Sequence, residues 1–114
     1  MASDNDTAAR GEAFDGTPLI CTKGRWRHIV DRHKELKGKL QDVVAAASTP
    51  DEIYLDPHGM IHAFKRTKTG PSEYLVVLLR RREQAIFIIT AYYTSGKRAK
   101  RRYRRFKKLE RYWT

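Results

Sequence analysis

Residues 74–93 read YLVVLLRRREQAIFIITAYY, and this stretch decides the fold class. Two runs within it, residues 74–80 and 85–93, are rich in branched and aromatic side chains, which is typical of β-strands. The four residues between the runs are few enough for a hairpin. Because successive positions are apolar, both faces of each strand are apolar. We therefore predict two central strands of a sheet that is covered on each side.

Two helices are predicted before these strands. From about residue 24, apolar side chains recur every three or four positions, as they do on one face of a helix, and Gly38 is expected to end that helix. A second helix is predicted over residues 40–47. It ends before Pro50, because proline cannot continue a helix.

Two shorter strands are predicted at residues 53–55 and 60–66, joined by an Asp-Pro-His-Gly turn at residues 56–59. Residues 67–72 contain a Gly-Pro pair and are predicted to form a loop. The order of the elements, two helices and then four strands, predicts an α+β fold. In this fold the N-terminal helices pack on a four-stranded antiparallel sheet.

The two ends of the chain differ from this central domain, which we assign to residues 17–95. Residues 1–16 are mostly small or polar and are predicted to be a flexible tail. Residues 96–114 place aromatic and apolar side chains at helical spacing among lysines and arginines. They predict a basic amphipathic C-terminal helix that packs on the domain by its aromatic edge.

Positive charge is concentrated in that last segment. Residues 97–111 contain ten Lys or Arg and one acid, so they carry +9 of the net +11 of the whole chain. Such a field favours a polyanion, and RNA or DNA is the commonest one, although an anionic membrane or an acidic protein are alternatives. The predicted RNA-binding residues are Lys97, Arg98, Lys100, Arg101, Arg102, Arg104, Arg105, Lys107 and Lys108.

The first predicted helix carries a set of groups suited to phosphodiester chemistry. His28, Arg32 and Glu35 share one side at i, i+4 and i+7, and His33 lies on the neighbouring apolar face. A histidine can carry a proton near neutral pH, and an arginine can hold a phosphate by two hydrogen bonds. The alternative is a hydrogen-bonded core histidine at position 33 with ordinary surface residues beside it.

The predicted strands offer two further sets. Alternation places Thr90 and Tyr92 on one face of the last strand, where their hydroxyls could donate hydrogen bonds to a phosphate oxygen and Tyr92 could stack on a base. On the first hairpin, His62 and Arg66 share a side with Phe64 and could add a proton carrier and a phosphate clamp. Ordinary strand ends and solvated hairpin charges are the alternatives.

Several classes of site are not predicted. The four histidines are scattered, and the i+5 spacing of His28 and His33 is poor for helical zinc binding, so we predict neither a metal nor a cofactor. Cys21 is the one cysteine, which excludes an internal disulfide. The longest apolar run, residues 85–89, is too short to span a membrane, and the first residues do not resemble a secretory signal. We therefore expect a cytoplasmic protein.

Taken in order, these segments resemble the phage-type branch of the barnase–EndoU–colicin–RelE-like nucleases. The resemblance runs from about residue 25 to residue 93. It rests on Trp26-x-His28-Ile29-x-x-Arg32-His33-x-Glu35, then Thr49-Pro50-Asp51-Glu52-Ile53, Tyr74-Leu75-Val76-Val77 and Ile89-Thr90-Ala91-Tyr92-Tyr93.

The resemblance implies a metal-independent endoribonuclease whose site lies on the sheet, between the first helix and the last strands. Its base would be His33, activating a ribose 2′-hydroxyl. Arg32 or Arg66 would steady the phosphoryl charge, and Thr90 or Tyr92 would donate hydrogen bonds. A second histidine, His28 or His62, would protonate the leaving oxygen.

The resemblance also implies partners. The substrate would be RNA, either tRNA or mRNA, and an acidic antitoxin or immunity protein could neutralise the enzyme, as in a toxin–antitoxin pair. The alternative function is a non-catalytic RNA- or DNA-binding module. It would grip the backbone with the basic helix and stack bases on Tyr103, Phe106 or Trp113.

Overall fold

The computed structural model describes residues 6–68 and 70–109. Within those residues the chain forms seven strands, three α-helices and a short 3₁₀ turn at Lys34–Leu36. In chain order the strands and helices are β1 (Thr7–Glu12), β2 (Pro18–Thr22), α1 (Lys23–Arg32), α2 (Leu40–Ser48), β3 (Glu52–Leu55), β4 (Ile61–Arg66), β5 (Tyr74–Arg82), β6 (Ala85–Thr94), α3 (Gly96–Tyr103) and β7 (Lys107–Leu109). None of these three helices has the length and apolar run needed to cross a membrane.

The strands form one mixed sheet in the order β1-β2-β6-β5-β4-β3-β7. Strands β2 and β6 run parallel, and all other neighbours in the described sheet are antiparallel. The predicted hairpin, β5 and β6, therefore lies in the interior of the sheet. Helices α1 and α2 pack on one face and α3 packs on the other. The prediction of two central strands covered on both sides is confirmed.

The prediction of a four-stranded antiparallel sheet is wrong, because β1, β2 and β7 extend the sheet at both ends. Strand β1 also lies inside the segment that we predicted to be a flexible tail. Its Ala, Arg and Gly residues have little intrinsic β-preference, but pairing with β2 from Pro18 to Thr22 supplies their backbone hydrogen bonds. The part of the predicted tail before residue 6 lies outside the described residues.

The predicted basic helix is correct only as far as Tyr103. After it the chain turns and forms β7, in which Leu109 pairs with Ile53 of β3. A lysine-rich strand suits this position, because lysines on an edge strand discourage pairing with other chains, and Lys108 also reaches Glu52 at 3.0 Å. Residues 110–114 of the predicted helix lie outside the described residues.

Helix α1 is shorter than predicted, whereas α2 occupies the predicted segment. The hydroxyl of Thr22 accepts a hydrogen bond from the backbone N–H of Arg25 and so caps the start of α1. The helix ends at Arg32 because the next residue, His33, leaves helical geometry with φ of −133°. Gly38, which we expected to end the helix, lies beyond the 3₁₀ turn with φ of +78°.

The two sides of the sheet have different cores. The side under α1 and α2 is filled by aliphatic residues, including Ile29, Leu36 and Leu79, all with no exposed surface. The side under α3 is built mainly from rings, with Phe64 and Tyr103 buried at its centre. The fold thus places an aromatic layer beneath the most basic segment of the chain.

A β-bulge in β6 determines which side chains face this aromatic layer. Leu79 pairs with Ile88, but its neighbour Leu78 pairs with Thr90, so Ile89 is one extra residue on β6. After the bulge, Tyr92 faces α3, and Ala91 and Tyr93 face the aliphatic core. Thr90 shares the side of Tyr92 by alternation, as we predicted.

Candidate functional site

A chain of hydrogen bonds crosses the sheet beneath α3. Asp56, in the turn after β3, lies with Oδ2 3.0 Å from Nε2 of His62 on β4. Nδ1 of His62 lies 2.9 Å from the hydroxyl of Tyr103, at the end of α3. That hydroxyl lies 2.5 Å from the hydroxyl of Tyr92 on β6. Tyr103 therefore joins two strands, β4 and β6, that are separated by β5.

The middle of this chain is shielded from water. His62 is 6% exposed and Tyr103 is 2% exposed. The ring of Phe106 lies 5.2 Å from that of His62, and the ring of Phe64 lies 4.7 Å from that of Tyr103 in an edge-to-face arrangement. The rings exclude solvent, so the polar atoms must satisfy one another.

The environment sets the protonation states of the buried groups. Burial lowers the pKa of His62, although Asp56 beside it opposes this shift. Burial raises the pKa of Asp56, but hydrogen bonds from His62 and two backbone N–H groups outweigh burial and leave it below its usual value. Burial and the bond to Tyr92 raise the pKa of Tyr103. Near neutral pH, Asp56 is therefore ionised, His62 is neutral and Tyr103 keeps its proton.

These states give the chain a direction. The ionised Asp56 can only accept, so Nε2 of His62 donates to it and Nδ1 is left as an acceptor. The hydroxyl of Tyr103 then donates to Nδ1 and accepts from Tyr92. The one hydroxyl proton of Tyr92 points inward, and its outward lone pair is an acceptor. We had expected Tyr92 to donate to a phosphate oxygen, and in this state it has no proton to give.

Tyr92 reaches the surface in a cleft of about 370 Å³, here called the arginine cleft. It is lined by Tyr92, Tyr93, Thr94, Arg98, Arg101 and Arg102. The guanidinium carbon of Arg102 lies 5.5 Å from the centre of the Tyr92 ring. The cleft therefore combines the side chain of Tyr92 with three cations that suit a phosphate.

His33 stands beside Tyr92. Their ring centres are 6.2 Å apart, and Nδ1 of His33 lies 3.6 Å from a carboxylate oxygen of Glu35. The side chain of His33 is 32% exposed and is therefore open to solvent. Its position follows from the end of α1, since the backbone turns out of the helix at this residue.

The structure brings together only part of the predicted catalytic set. His33 and Tyr92 are neighbours, and Thr90 lies two residues before Tyr92 on the same face. His28 and Arg32 are exposed on α1, and the described residues show no contact between either of them and Tyr92.

Arg66 is also apart from this group. Its guanidinium donates to the hydroxyl of Tyr74 at 3.0 Å and lies over the ring of the same residue. His62 and Phe64 of the same hairpin face α3, on the side of the sheet opposite α1.

A second cleft, of about 400 Å³, lies on the other side of α3 and is here called the aromatic cleft. Its rings come from Tyr54, Phe64, Tyr74, Tyr103 and Phe106, and its polar lining includes Glu52, Lys100, Arg104 and Lys108. The predicted RNA-binding residues are thus divided. Arg98, Arg101 and Arg102 line one cleft, Lys100, Arg104 and Lys108 line the other, and Lys97, Arg105 and Lys107 are exposed outside both.

The aromatic residues that we expected to stack bases have different surroundings. Tyr103 is buried under α3, so it is not free to stack on a base. Phe106 is half-buried on the wall of the aromatic cleft. Trp113 lies outside the described residues.

The sequence reasoning missed the roles of Asp56 and Tyr103 and left His62 as a secondary candidate. Asp56 was assigned only to a turn, where its carboxylate indeed accepts from the backbone N–H groups of His58 and Met60. The available signal was an aspartate followed six residues later by a histidine in a predicted strand. No group of three His, Cys, Asp or Glu able to hold a metal ion occurs among residues 6–68 and 70–109.

Comparisons with protein-family models, with curated proteins and with solved structures found no significant match for the chain. The nuclease resemblance therefore stays a prediction from the sequence.

Proposed function

We propose that this protein is a metal-independent endoribonuclease that cleaves RNA by attack of a ribose 2′-hydroxyl on the adjacent phosphate. One observation carries the proposal. The ring of Tyr92, which lines the arginine cleft, lies 6.2 Å from the ring of His33 and 5.5 Å from the guanidinium carbon of Arg102. Two groups able to exchange protons, close to cations that can hold a phosphate, are what this reaction requires.

The arginines provide the substrate-binding part of the proposal. A guanidinium can bind two oxygens of a phosphate at once, and it keeps its charge at every physiological pH. Arg98, Arg101 and Arg102 would hold the phosphates around the cleaved bond and stabilise the negative charge that grows on the phosphoryl oxygens. The guanidinium carbon of Arg102 lies 5.5 Å from the centre of the Tyr92 ring.

The reaction uses only groups of the RNA and of the protein. The 2′-oxygen loses its proton and forms a bond to phosphorus, while the bond from phosphorus to the 5′-oxygen breaks and that oxygen gains a proton. The products are a 2′,3′-cyclic phosphate and a free 5′-hydroxyl. The requirement for a 2′-hydroxyl makes RNA the substrate and leaves DNA uncut.

Incubation of the purified protein with total tRNA and with a long mixed-sequence RNA, both in EDTA, tests this proposal. We expect discrete fragments with 2′,3′-cyclic phosphate ends. We expect His33→Ala to cleave about 10²–10⁴-fold more slowly, because it removes one of two proton carriers. His28→Ala is the matched control, since this histidine is exposed on α1, the helix that ends just before His33. Cleavage by His33→Ala at the parent rate would overturn the assignment of His33.

A partner forms part of the same proposal. A cytoplasmic ribonuclease endangers its own cell, and a net charge of +11 favours capture by an acidic protein, so an antitoxin or immunity protein would cover the arginine cleft. Expression of the chain alone should then arrest growth, and His33→Ala should relieve the arrest. Unimpaired growth at high levels of active protein would exclude a neutralising partner.

The aromatic cleft favours a second candidate function, a binding module without catalysis. Half-buried rings with Lys100 and Arg104 beside them suit a single-stranded nucleic acid, whose bases stack while its phosphates pair with cations. This function predicts gel-shifted but intact RNA and an affinity that does not change in His33→Ala or in Thr90→Val.

Salt dependence tests the contribution of α3 in either function. Replacing Arg98, Arg101 and Arg102 with Gln should lower the slope of log affinity against log salt by about 2, since each phosphate contact on a single strand contributes about 0.7. Replacing three exposed cations of α1, Lys23, Arg25 and Arg27, is the matched control and should leave the slope nearly unchanged. Equal slopes in both triple variants would exclude the arginine cleft as the phosphate site.

A further inference from the structure

We propose that Asp56, His62 and Tyr103 form a proton relay that makes Tyr92 the base of the reaction and leaves His33 as the acid. The inference rests on the proposed function and deepens it. It replaces the expectation that His33 is the base. It also gives a role to three residues that do not touch RNA, and we class them as positioning residues that act through Tyr92.

The geometry of the hydrogen bonds carries this inference. Each of the three links is within hydrogen-bond distance, at 3.0, 2.9 and 2.5 Å, and together they run without a gap from a carboxylate to the hydroxyl of Tyr92, a residue that lines the arginine cleft. The four groups come from four different elements. All buried side-chain polar atoms of the described residues have a partner, so no link is missing from this chain of hydrogen bonds.

Packing alone does not account for this arrangement. A phenylalanine at position 103 would fill the same space under α3, since the ring contacts of Tyr103 are with Tyr54, Phe64, His62 and Phe106. The hydroxyl of Tyr103 adds only the two bonds, one to His62 and one to Tyr92. Its position is therefore suited to passing a proton between these two residues.

The 2′-hydroxyl proton moves to the oxygen of Tyr92, the Tyr92 proton moves to Tyr103, and the Tyr103 proton moves to Nδ1 of His62. The 2′-oxygen forms its bond to phosphorus, and the departing 5′-oxygen takes a proton from the imidazolium of His33. Afterwards His62 returns its proton outward along the same path to water, and His33 regains one from water.

His62 can serve as the end of this path because of the groups that face it. Asp56 faces it from the turn after β3 and stabilises its protonated form, while Arg102 of α3 disfavours that form. Tyr103 also faces it from α3, Tyr54 is its register partner on β3, and the uncharged Leu78 is its partner on β5. Burial keeps the ring neutral before the reaction, so that Nδ1 is free to accept.

Protonation of His62 by acid solvent would reverse the direction of the hydrogen bonds between His62, Tyr103 and Tyr92. Nδ1 would then donate to Tyr103, Tyr103 would donate to Tyr92, and Tyr92 would present its proton to the cleft. Tyr92 could no longer accept the 2′-hydroxyl proton. The rate of cleavage should therefore fall on the acid side of the pH–rate profile, at a pH below the ordinary histidine value of about 6.5, since burial lowers the pKa of His62.

The test compares His62→Gln and Tyr103→Phe with the parent in single-turnover cleavage across pH. Glutamine at position 62 can keep both hydrogen bonds but cannot take up a proton. Phenylalanine at position 103 keeps the packing but interrupts the chain of hydrogen bonds. We expect each variant to cleave about 10²-fold more slowly or worse, to lose the acid limb of the profile, and to bind RNA as tightly as the parent. His58→Gln is the control, because this histidine is exposed in the turn after β3 and its side chain lies outside the hydrogen-bond chain, and it should leave rate and profile unchanged.

A measurement on the parent protein covers the case in which a variant fails to fold. Nitrogen-15 NMR of the histidine rings at pH 7 should show His62 neutral with its proton on Nε2. A proton on Nδ1 would overturn the relay, and so would an unchanged acid limb in folded His62→Gln. In both cases parent cleavage would leave the proposed function standing. No cleavage of any RNA by the parent would overturn both proposals together.

Discussion

The two faces of the central hairpin, β5 and β6, pack against different layers, as two neighbouring residues show. Leu79 points into the aliphatic core under α1 and α2, and Leu78 beside it borders the aromatic layer under α3. The aliphatic side is filled mainly by apolar side chains, which hold the strands in register. The aromatic side places His62, Tyr92 and Tyr103 in one hydrogen-bonded chain. Rigidity and reactivity are thus separated by the thickness of one sheet.

The largest expected effect comes from truncating the aliphatic face. Leu79→Ala should lower the free energy of unfolding by about 2–5 kcal/mol, because it leaves a cavity around a residue with no exposed surface. Leu78→Ala is the matched variant one residue away, and it should cost less, since Leu78 is only half-buried. Urea titration measures both. Equal losses would contradict the view that the aliphatic face carries most of the stability.

The second expected effect is a dependence of stability on pH that arises from His62, on the aromatic side of the sheet. Burial lowers the pKa of folded His62, so the unfolded chain binds more protons below the ordinary histidine pKa of about 6.5. The contribution of neutral His62 to the free energy of unfolding is fully present above that pH. It is lost as the pH falls towards the pKa of His62 in the folded protein. One proton limits the slope to about 1.4 kcal/mol per pH unit.

The carboxylates act in a lower range of pH. Asp56 has a lowered pKa in the folded state, and so does Asp15, which pairs with Arg81 on the other edge of the hairpin. Their contributions are present above about pH 4 and are lost below it. Thermal unfolding between pH 7 and 3 measures both ranges. The loss of stability in the histidine range of pH should be present in the parent and absent from His62→Gln. An equal loss in both proteins in that range would exclude a buried neutral His62.

The smallest effect is a reaction that should hardly occur. Cys21 lies in β2 against the aliphatic core with 1% of its surface exposed, and burial raises the pKa of its thiol to about 11. At pH 8 only about one thiol in a thousand would be ionised, so a disulfide reagent should react slowly with the folded protein. The same protein in urea is the control and should react at once. Rapid reaction of the folded protein would mean that the aliphatic face opens readily.

The sequence predicted well the elements whose side chains carry their own signal. The hairpin of β5 and β6 and the position of α2 follow from local patterns of apolar residues. Strands β1 and β7 have no such signal. The Thr-Ala-Ala-Arg-Gly-Glu stretch of β1 and the Lys-Lys-Leu stretch of β7 become strands only because β2 and β3 offer unpaired edges.

The candidate site shows the same division. His33 and Tyr92 were identified from their chemistry and their places in predicted elements. The bond from His62 to Tyr103 joins residues 41 positions apart, and no local pattern specifies such a pair. It depends on the path from β6 through α3 to β7 across the sheet. The sequence analysis had predicted one longer helix in place of α3 and β7.

The bulge at Ile89 has a consequence for changes in chain length. Because Ile89 has no partner of its own on β5, deleting it would leave Thr90 opposite Leu78 and Tyr92 opposite Val76, and the strand would become regular. Deleting Ala91 instead would leave Ile89 and Thr90 opposite Leu78 and Val77, so Tyr92 would again stay opposite Val76. The segment from Ile89 to Ala91 is therefore where a one-residue gap in a related sequence would preserve the orientation of Tyr92. A gap of two residues in the same segment would place Tyr92 opposite Val77 and turn its phenol towards the aliphatic core.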